Sequence, residues 1–211
     1  MDAKQVFIPL GHPNRPGTRL DKLLAIVIHY TANADPSMGA AATAQYFGRR
    51  FIAGKDPKET NGQAWGYGSA QVVADQNEIV LAMPPDELAW ACGDSRIIHP
   101  DGTKSQQLFG IQVLLNRSNH FTTSIEICNN GDWAAAANNA MQWAGDYIKS
   151  LGLKVDLASS LDPQNAGAPQ EGQVYVVRHF DVTGKTCPKP FIDDPAAWVN
   201  FVTLLAYIVN S

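Results

Sequence analysis

His29, Glu126, His179, Lys185 and Cys187 are the side chains of this sequence whose types could serve one reaction. The last three crowd into "VVRHFDVTGKTCPKPF" (176–191), where an apolar run delivers His179 and a short loop carries Lys185 and Cys187. Seven residues separate His179 from Cys187, with Gly184 and Pro188 shaping the loop, so both side chains can reach one ion. His29 closes another apolar run, "LLAIVIHY" (23–30), at the strand end where α/β proteins place their chemistry. Two neutral imidazoles and one thiolate would bind a single zinc ion and leave a fourth position for water, the pattern of catalytic zinc. Such a site acidifies water and polarises a carbonyl, which is chemistry for hydrolysing an amide or an ester.

That reaction also needs a base and a partner for the oxyanion. Glu126 stands in "TTSIEIC" (122–128), on the strand face opposite Ile125 and Ile127, so a carboxylate there needs a reason. It is the candidate base; a salt bridge or an exposed edge position is the plain alternative. Lys185 would stabilise the oxyanion or protonate the leaving amine, unless it is an ordinary solvated loop lysine. His29, His179 and Cys187 have a plain alternative too, as packed core groups. His12, His99 and His120 lie in proline-rich or polar segments and read as surface residues. Cys92 and Cys128 are spare thiols, and a fourth ligand from either would make the metal structural.

The elements that must position these groups alternate along the chain. After the strand 23–30 comes an alanine-rich helix, "MGAAATAQYFGRRF", then a loop at 54–68. "SAQVVADQNEIVLAMP" reads as a hairpin turning near Gln76 and Asn77, and "PPDELAWACGD" as a loop or short helix. In the polar connection 94–122, "LFGIQVLL" fits a strand or a helical turn equally. Asp132 should cap a helix with Trp133, Ala137, Ala140, Met141, Ala144, Tyr147, Ile148 and Leu151 on one face, closed by Gly152. A Pro-, Gly- and Gln-rich loop (158–173), the strand "VYVVRHF" and an amphipathic helix from Pro195 complete the pattern. The last uses Trp198, Phe201, Val202, Leu205 and Ile208 for its buried face.

The 211 residues suit one α/β domain spanning 1–211, with no repeats and no clear linker. Charged residues are 17% and the net charge is −4, without a basic stripe, which argues against nucleic acid as a partner. The N-terminus lacks a secretory n-region and h-region, and "AAWVNFVTLLAYIV" is too short to span a bilayer. A soluble chain made in the cytoplasm, with no membrane insertion, is the expectation. Three widely spaced cysteines argue against a disulfide framework.

"IVIHYTAN", "SAQVVADQNEIVLAMPPDELAWACGD", "SIEICNN" and "VVRHFDVTGKTCPKPF" occur in the order found in type 2 N-acetylmuramoyl-L-alanine amidases. The chain resembles that superfamily, which also holds peptidoglycan recognition proteins and phage lysozyme-type amidases. Its look is nearest to endolysin and autolysin catalytic domains of Gram-positive bacteria and their phages. The resemblance runs from "RPGT" to the final helix, with 54–68, 94–122 and 154–173 poorly matched. It implies a mixed central β-sheet flanked by α-helices, with one zinc ion in a surface groove. His29, His179 and Cys187 match the ligands, Glu126 the glutamate acting on metal-bound water, and Lys185 the lysine beside the metal. Trp90 matches a groove aromatic, and Tyr30 and Gln71 are assigned with it to substrate binding. Gln71 and Ala91 are departures, since many relatives carry histidine at both positions.

The implied reaction is hydrolysis of the amide between the lactyl group of N-acetylmuramic acid and L-alanine of the stem peptide, with peptidoglycan as the partner. A non-catalytic peptidoglycan-binding module of the same fold is the alternative. With no leader segment, release to the cell wall would follow lysis or a holin-type or other non-classical route, as for an endolysin; an autolysin or a sporulation enzyme is also compatible.

Overall fold

The computed structural model describes residues 2–49, 68–93, 97–102, 104–108, 111–114 and 117–211. The chain opens with the short strand β1 (Lys4–Gln5) and reaches β2 (Ala25–Tyr30), whose first five residues are all buried, as the apolar run requires. Helix α1 (Ala40–Arg49) follows, burying Ala40, Thr43, Ala44 and Phe47. The expected hairpin is β3 (Val72–Ala74) and β4 (Ile79–Leu81), paired antiparallel. Asp75 makes its turn, with Oδ1 accepting from the backbone N–H of Asn77 and Glu78. Residues 84–93 run as a loop without a helix. The predicted loop at 54–68 lies outside the described residues except for Gly68.

The connection that follows is not a plain loop. It folds into a separate antiparallel sheet of β5 (Ile97–Ile98), β6 (Lys104–Leu108) and β7 (Ile111–Leu114). The described residues of "LFGIQVLL" are therefore strand, with Leu108 closing β6 and Ile111–Leu114 forming β7.

β8 (Thr122–Ile127) leads to α2 (Trp133–Ser150), capped by Asp132, whose carboxylate accepts from the Ala135 N–H. Gly152 adopts φ +68° just past the helix end, a conformation that glycine takes at little cost. Leu151 departs from the expected face: at the C-cap it is 46% exposed. β9 (Lys154–Val155) is followed by a turn of helix, α3 (Leu157–Leu161), inside the segment expected to be loop. β10 (Gln173–Arg178) then passes directly into α4 (His179–Thr183), so His179 begins a helix instead of ending a strand. α5 (Lys189–Asp193) and α6 (Pro195–Asn210) complete the chain.

The main sheet has seven strands in the order β1-β4-β3-β8-β2-β10-β9, mixed because only the β3–β4 pair is antiparallel. Side-chain alternation divides it into two faces. Ile26, Ile28, Ile125 and Ile127 pack with α2 and α6, which supply Ala140, Ala144, Trp198 and Leu205. On the opposite face Val73, Val80 and Cys128 meet Ala40, Ala44 and Phe47 of α1, while Ala25, Val27, Val177 and Cys92 form a neighbouring cluster. The fold is a single α/β domain with a helix-flanked mixed sheet.

Candidate metal centre and groove

Parallel pairing brings the predicted residues to one place. His29 is in register with Glu126 across the β2–β8 pair, and Ile28 with Arg178 across β2–β10, so His179 emerges beside His29. These three positions share the carboxyl ends of adjacent central strands, where open α/β sheets bind ligands. His29 follows the parity of Ala25 and Val27, which puts it on the α1 side of the sheet.

His179 owes its position to a local clamp. The Arg178 guanidinium holds Asp181 through Nε (3.0 Å) and Nη2 (2.9 Å), and Asp181 Oδ2 also accepts the Arg178 backbone N–H at 2.8 Å. Gly184, at φ +81°, then turns the chain, and its N–H closes α4 on Phe180 O at 2.8 Å. The loop folds back until Phe180 N–H meets Cys187 O at 2.8 Å. Cys187 thereby joins the histidines.

His29, His179 and Cys187 are 2%, 2% and 4% exposed, and one ligand atom from each lies within 4.8 Å of the other two. The imidazole centroids are 4.4 Å apart, and Cys187 Sγ is 4.0 Å from His29 Nδ1. Burial first, then the charges of His179 and Lys185, hold the His29 pKa well below its ordinary value. His29 is thus neutral, the form that binds a metal. The donor set of two imidazoles and a thiolate fits zinc.

Glu126 flanks this group. Its Oε2 is buried with no hydrogen-bond partner among the described residues, an orphaned acceptor that a ligand or water would satisfy. Burial raises its carboxyl to about 7, against the opposing pull of the Lys185 charge.

A groove of about 1200 Å³ opens over it, with His29, Glu126, His179, Lys185 and Cys187 in its lining. Tyr30 and Trp90 line it too. The Trp90 indole N–H donates to Pro13 O at 2.8 Å, which fixes the ring as a wall. Gln71 does not reach the groove. It is fully buried, its amide nitrogen donating to Glu87 O (2.7 Å) and Thr122 O (3.3 Å) while Oε1 accepts from Ser124 N–H (2.8 Å). Its role is to bridge β8 and the 84–88 loop, so the substrate-binding assignment is corrected.

Neither spare thiol belongs to the donor group. Cys128 Sγ faces Thr43 Oγ1 at 3.9 Å in the α1 cluster, and Cys92 Sγ meets His29 at Nε2, the edge away from Cys187. His12, His99 and His120 are half-buried instead of fully on the surface, and outside the group.

Several wall residues escaped the sequence reading: Thr43, Tyr46 and Phe47 from α1, and Ser69. For Thr43 and Phe47 the signal was the inward stripe of α1. Asn14, which organises this wall from behind, gave no signal in its proline-rich segment. Fully buried, it donates to Phe47 O (2.9 Å), accepts from Gly68 N–H (3.1 Å) and receives Ser69 Oγ–H on its carbonyl (2.8 Å).

Fold and site together define an α/β domain with a buried three-donor group, able to hold a metal ion, at the floor of a groove. The family model for N-acetylmuramoyl-L-alanine amidase matches residues 20–190, and the chain belongs to that family. Among curated relatives, the N-acetylmuramoyl-L-alanine amidase XlyA of Bacillus subtilis is 30% identical over 199 residues, covering 93% of this chain and 48% of the relative. BlyA of the same organism, also an N-acetylmuramoyl-L-alanine amidase, is 27% identical over 195 residues, covering 92% and 44%. The chain thus spans about half the length of these relatives. The solved catalytic domain of XlyA superposes with a TM-score of 0.63 at 26% identity, covering 96% of this chain and 99% of that one.

Proposed function

We propose that the chain is a zinc-dependent N-acetylmuramoyl-L-alanine amidase that cleaves peptidoglycan between the lactyl carbonyl of N-acetylmuramic acid and L-alanine of the stem peptide. The observation that carries this reading is the grouping of His29, His179 and Cys187 beside Glu126 on one groove floor, in a chain of this family. Zinc held by those three residues would supply the positive charge that acidifies water and polarises the scissile carbonyl.

The chain's own residues supply the rest. Glu126, whose carboxyl burial makes more basic than an ordinary carboxylate, takes a proton from the attacking water as the water oxygen bonds to the lactyl carbonyl carbon. Lys185, an exposed residue of the groove lining, would bring its charge to the carbonyl oxygen as it gathers electrons. When the C–N bond breaks, the proton held by Glu126 passes to the alanine nitrogen, leaving a lactyl carboxylic acid, whose remaining water proton is then lost to the amine or to solvent, and a new L-alanine amino terminus. Trp90 and Tyr30 form walls against which the glycan and stem peptide are oriented. The buried surroundings of the donors limit competing water and strengthen these charge interactions.

The test is turnover with and without metal. Purified protein should clear a suspension of bacterial cell walls, stop on treatment with a strong chelator, and recover with stoichiometric zinc. Cys187→Ser should lose most bound zinc and the activity with it. Wall binding without clearing by the zinc-loaded protein would point to a non-catalytic binding module and overturn the proposal.

A further inference from the structure

The His29 ring lies between two sulfurs. Cys187 Sγ is 4.0 Å from Nδ1 and Cys92 Sγ is 3.9 Å from Nε2, and these are the ring's hydrogen-bond partners among the described residues. A neutral imidazole carries one N–H, and the bond made by one nitrogen decides which tautomer is present. A metal ligand must offer the bare nitrogen, so its other nitrogen needs an acceptor. The acceptor within reach of Nε2 is the Cys92 sulfur, weak but correctly placed.

We propose that Cys92 is a positioning residue for the metal centre: its sulfur accepts the Nε2–H of His29 and so turns bare Nδ1 toward Cys187 and His179. This inference rests on the metal-site reading above and deepens it.

Cys92 is built into place for such a task. It is fully buried, its backbone N–H donates to Asn119 Oδ1 at 2.8 Å, and its carbonyl accepts from Ser118 Oγ at 2.9 Å. The same Asn119 oxygen takes the Ala91 N–H at 3.2 Å, so one buried amide holds both residues of the loop. The sulfur is therefore held against the ring by the 3-10 turn Ser118–His120 and not by a mobile loop. Packing alone would fill this space with any small apolar group. Only an acceptor sets the tautomer.

The experiment combines nitrogen-15 NMR of the histidine rings with zinc affinity by chelator competition. In the metal-free wild type, His29 should be in the Nε2–H tautomer. Cys92→Ala should mix the tautomers and weaken zinc binding about tenfold, the lower end for loss of a ligand's outer partner. Cys92→Ser, which keeps an acceptor, should fall between the two. An Nδ1–H tautomer in the wild type overturns the proposal without any variant. So does a folded Cys92→Ala protein with unchanged tautomer and zinc affinity. A wild type that takes up no zinc but shows the Nε2–H form would count against the metal reading and leave the Cys92 assignment standing.

Discussion

Glu126 carries opposed influences that suit a proton carrier, since burial raises its carboxyl to about 7 while the Lys185 charge draws it down. A base must be ionised to act, so kcat/KM should rise with pH through the limb on which this carboxyl loses its proton, at a pH that bound zinc would set below the metal-free value of about 7. Glu126→Gln should lower turnover by roughly 10²–10⁴-fold, abolish that limb and leave zinc content unchanged. Full activity in this variant would show the base to be misassigned. The same shift has a stability consequence of opposite sign. The folded state holds this proton more tightly than the unfolded chain, so protonation favours the fold. Stability of the metal-free protein should then fall as pH rises from about 4.5 to about 7, by roughly 3 kcal/mol, and level off beyond. Denaturant melts of wild type and Glu126→Gln across that window check it, because only the wild type should show this component of the slope. Residue chemistry made much of the site legible: one histidine near the end of an apolar strand and another just beyond one, a carboxylate among isoleucines, a cysteine behind a glycine turn. Gln71 misled because a polar residue beside a strand can face a groove or bridge backbone groups. Its three hydrogen bonds belong to the second kind.

The elements around the groove depend on a few buried polar anchors. Asp75 is one: Oδ2 accepts the Ala40 N–H at the start of α1, and Oδ1 takes two N–H groups of the β3–β4 turn. A Cβ on Gly39 would stand 2.6 Å from that carboxylate, which shows how closely helix and turn approach. Asp75→Ala should cost on the order of 3 kcal/mol, because buried donors lose a charged acceptor. Thermal unfolding is the measurement, and an unchanged midpoint would refute the anchoring role. Asn14→Ala should act on the groove instead, loosening Phe47 and Gly68, whose backbone groups its side-chain amide holds. With a soluble muropeptide, its KM should rise several-fold while kcat and zinc content stay near wild type. α1, α2 and α6 were legible from composition and periodicity. α4 was not, because "HFDVT" is too short to show a period and depends on the Arg178–Asp181 clamp. The β5–β7 sheet was hidden because an isolated apolar run does not distinguish strand from helix.

At the scale of the molecule, parallel pairing of β2, β8 and β10 does what no local motif could, placing residues from distant segments on one floor. Helices α2 and α6 cover one sheet face, which leaves the other for α1 and the groove. The N-terminal segment completes the wall through Pro13 and Asn14, and is tied down by the Arg15–Glu87 ion pair at 2.8 Å. No helix among the described residues is long and apolar enough to cross a membrane. The α/β class was legible from alternating elements, whereas the partnership of the first twenty residues with the groove was not, since it rests on backbone carbonyls and one asparagine. The central claim is the bond that is cut, and product analysis by mass spectrometry of zinc-loaded digests reads it directly. Stem peptides with free L-alanine amino termini and glycan strands with free lactyl carboxylates are the expected products. Cleavage within the peptide or between sugars, with that amide intact, would contradict it.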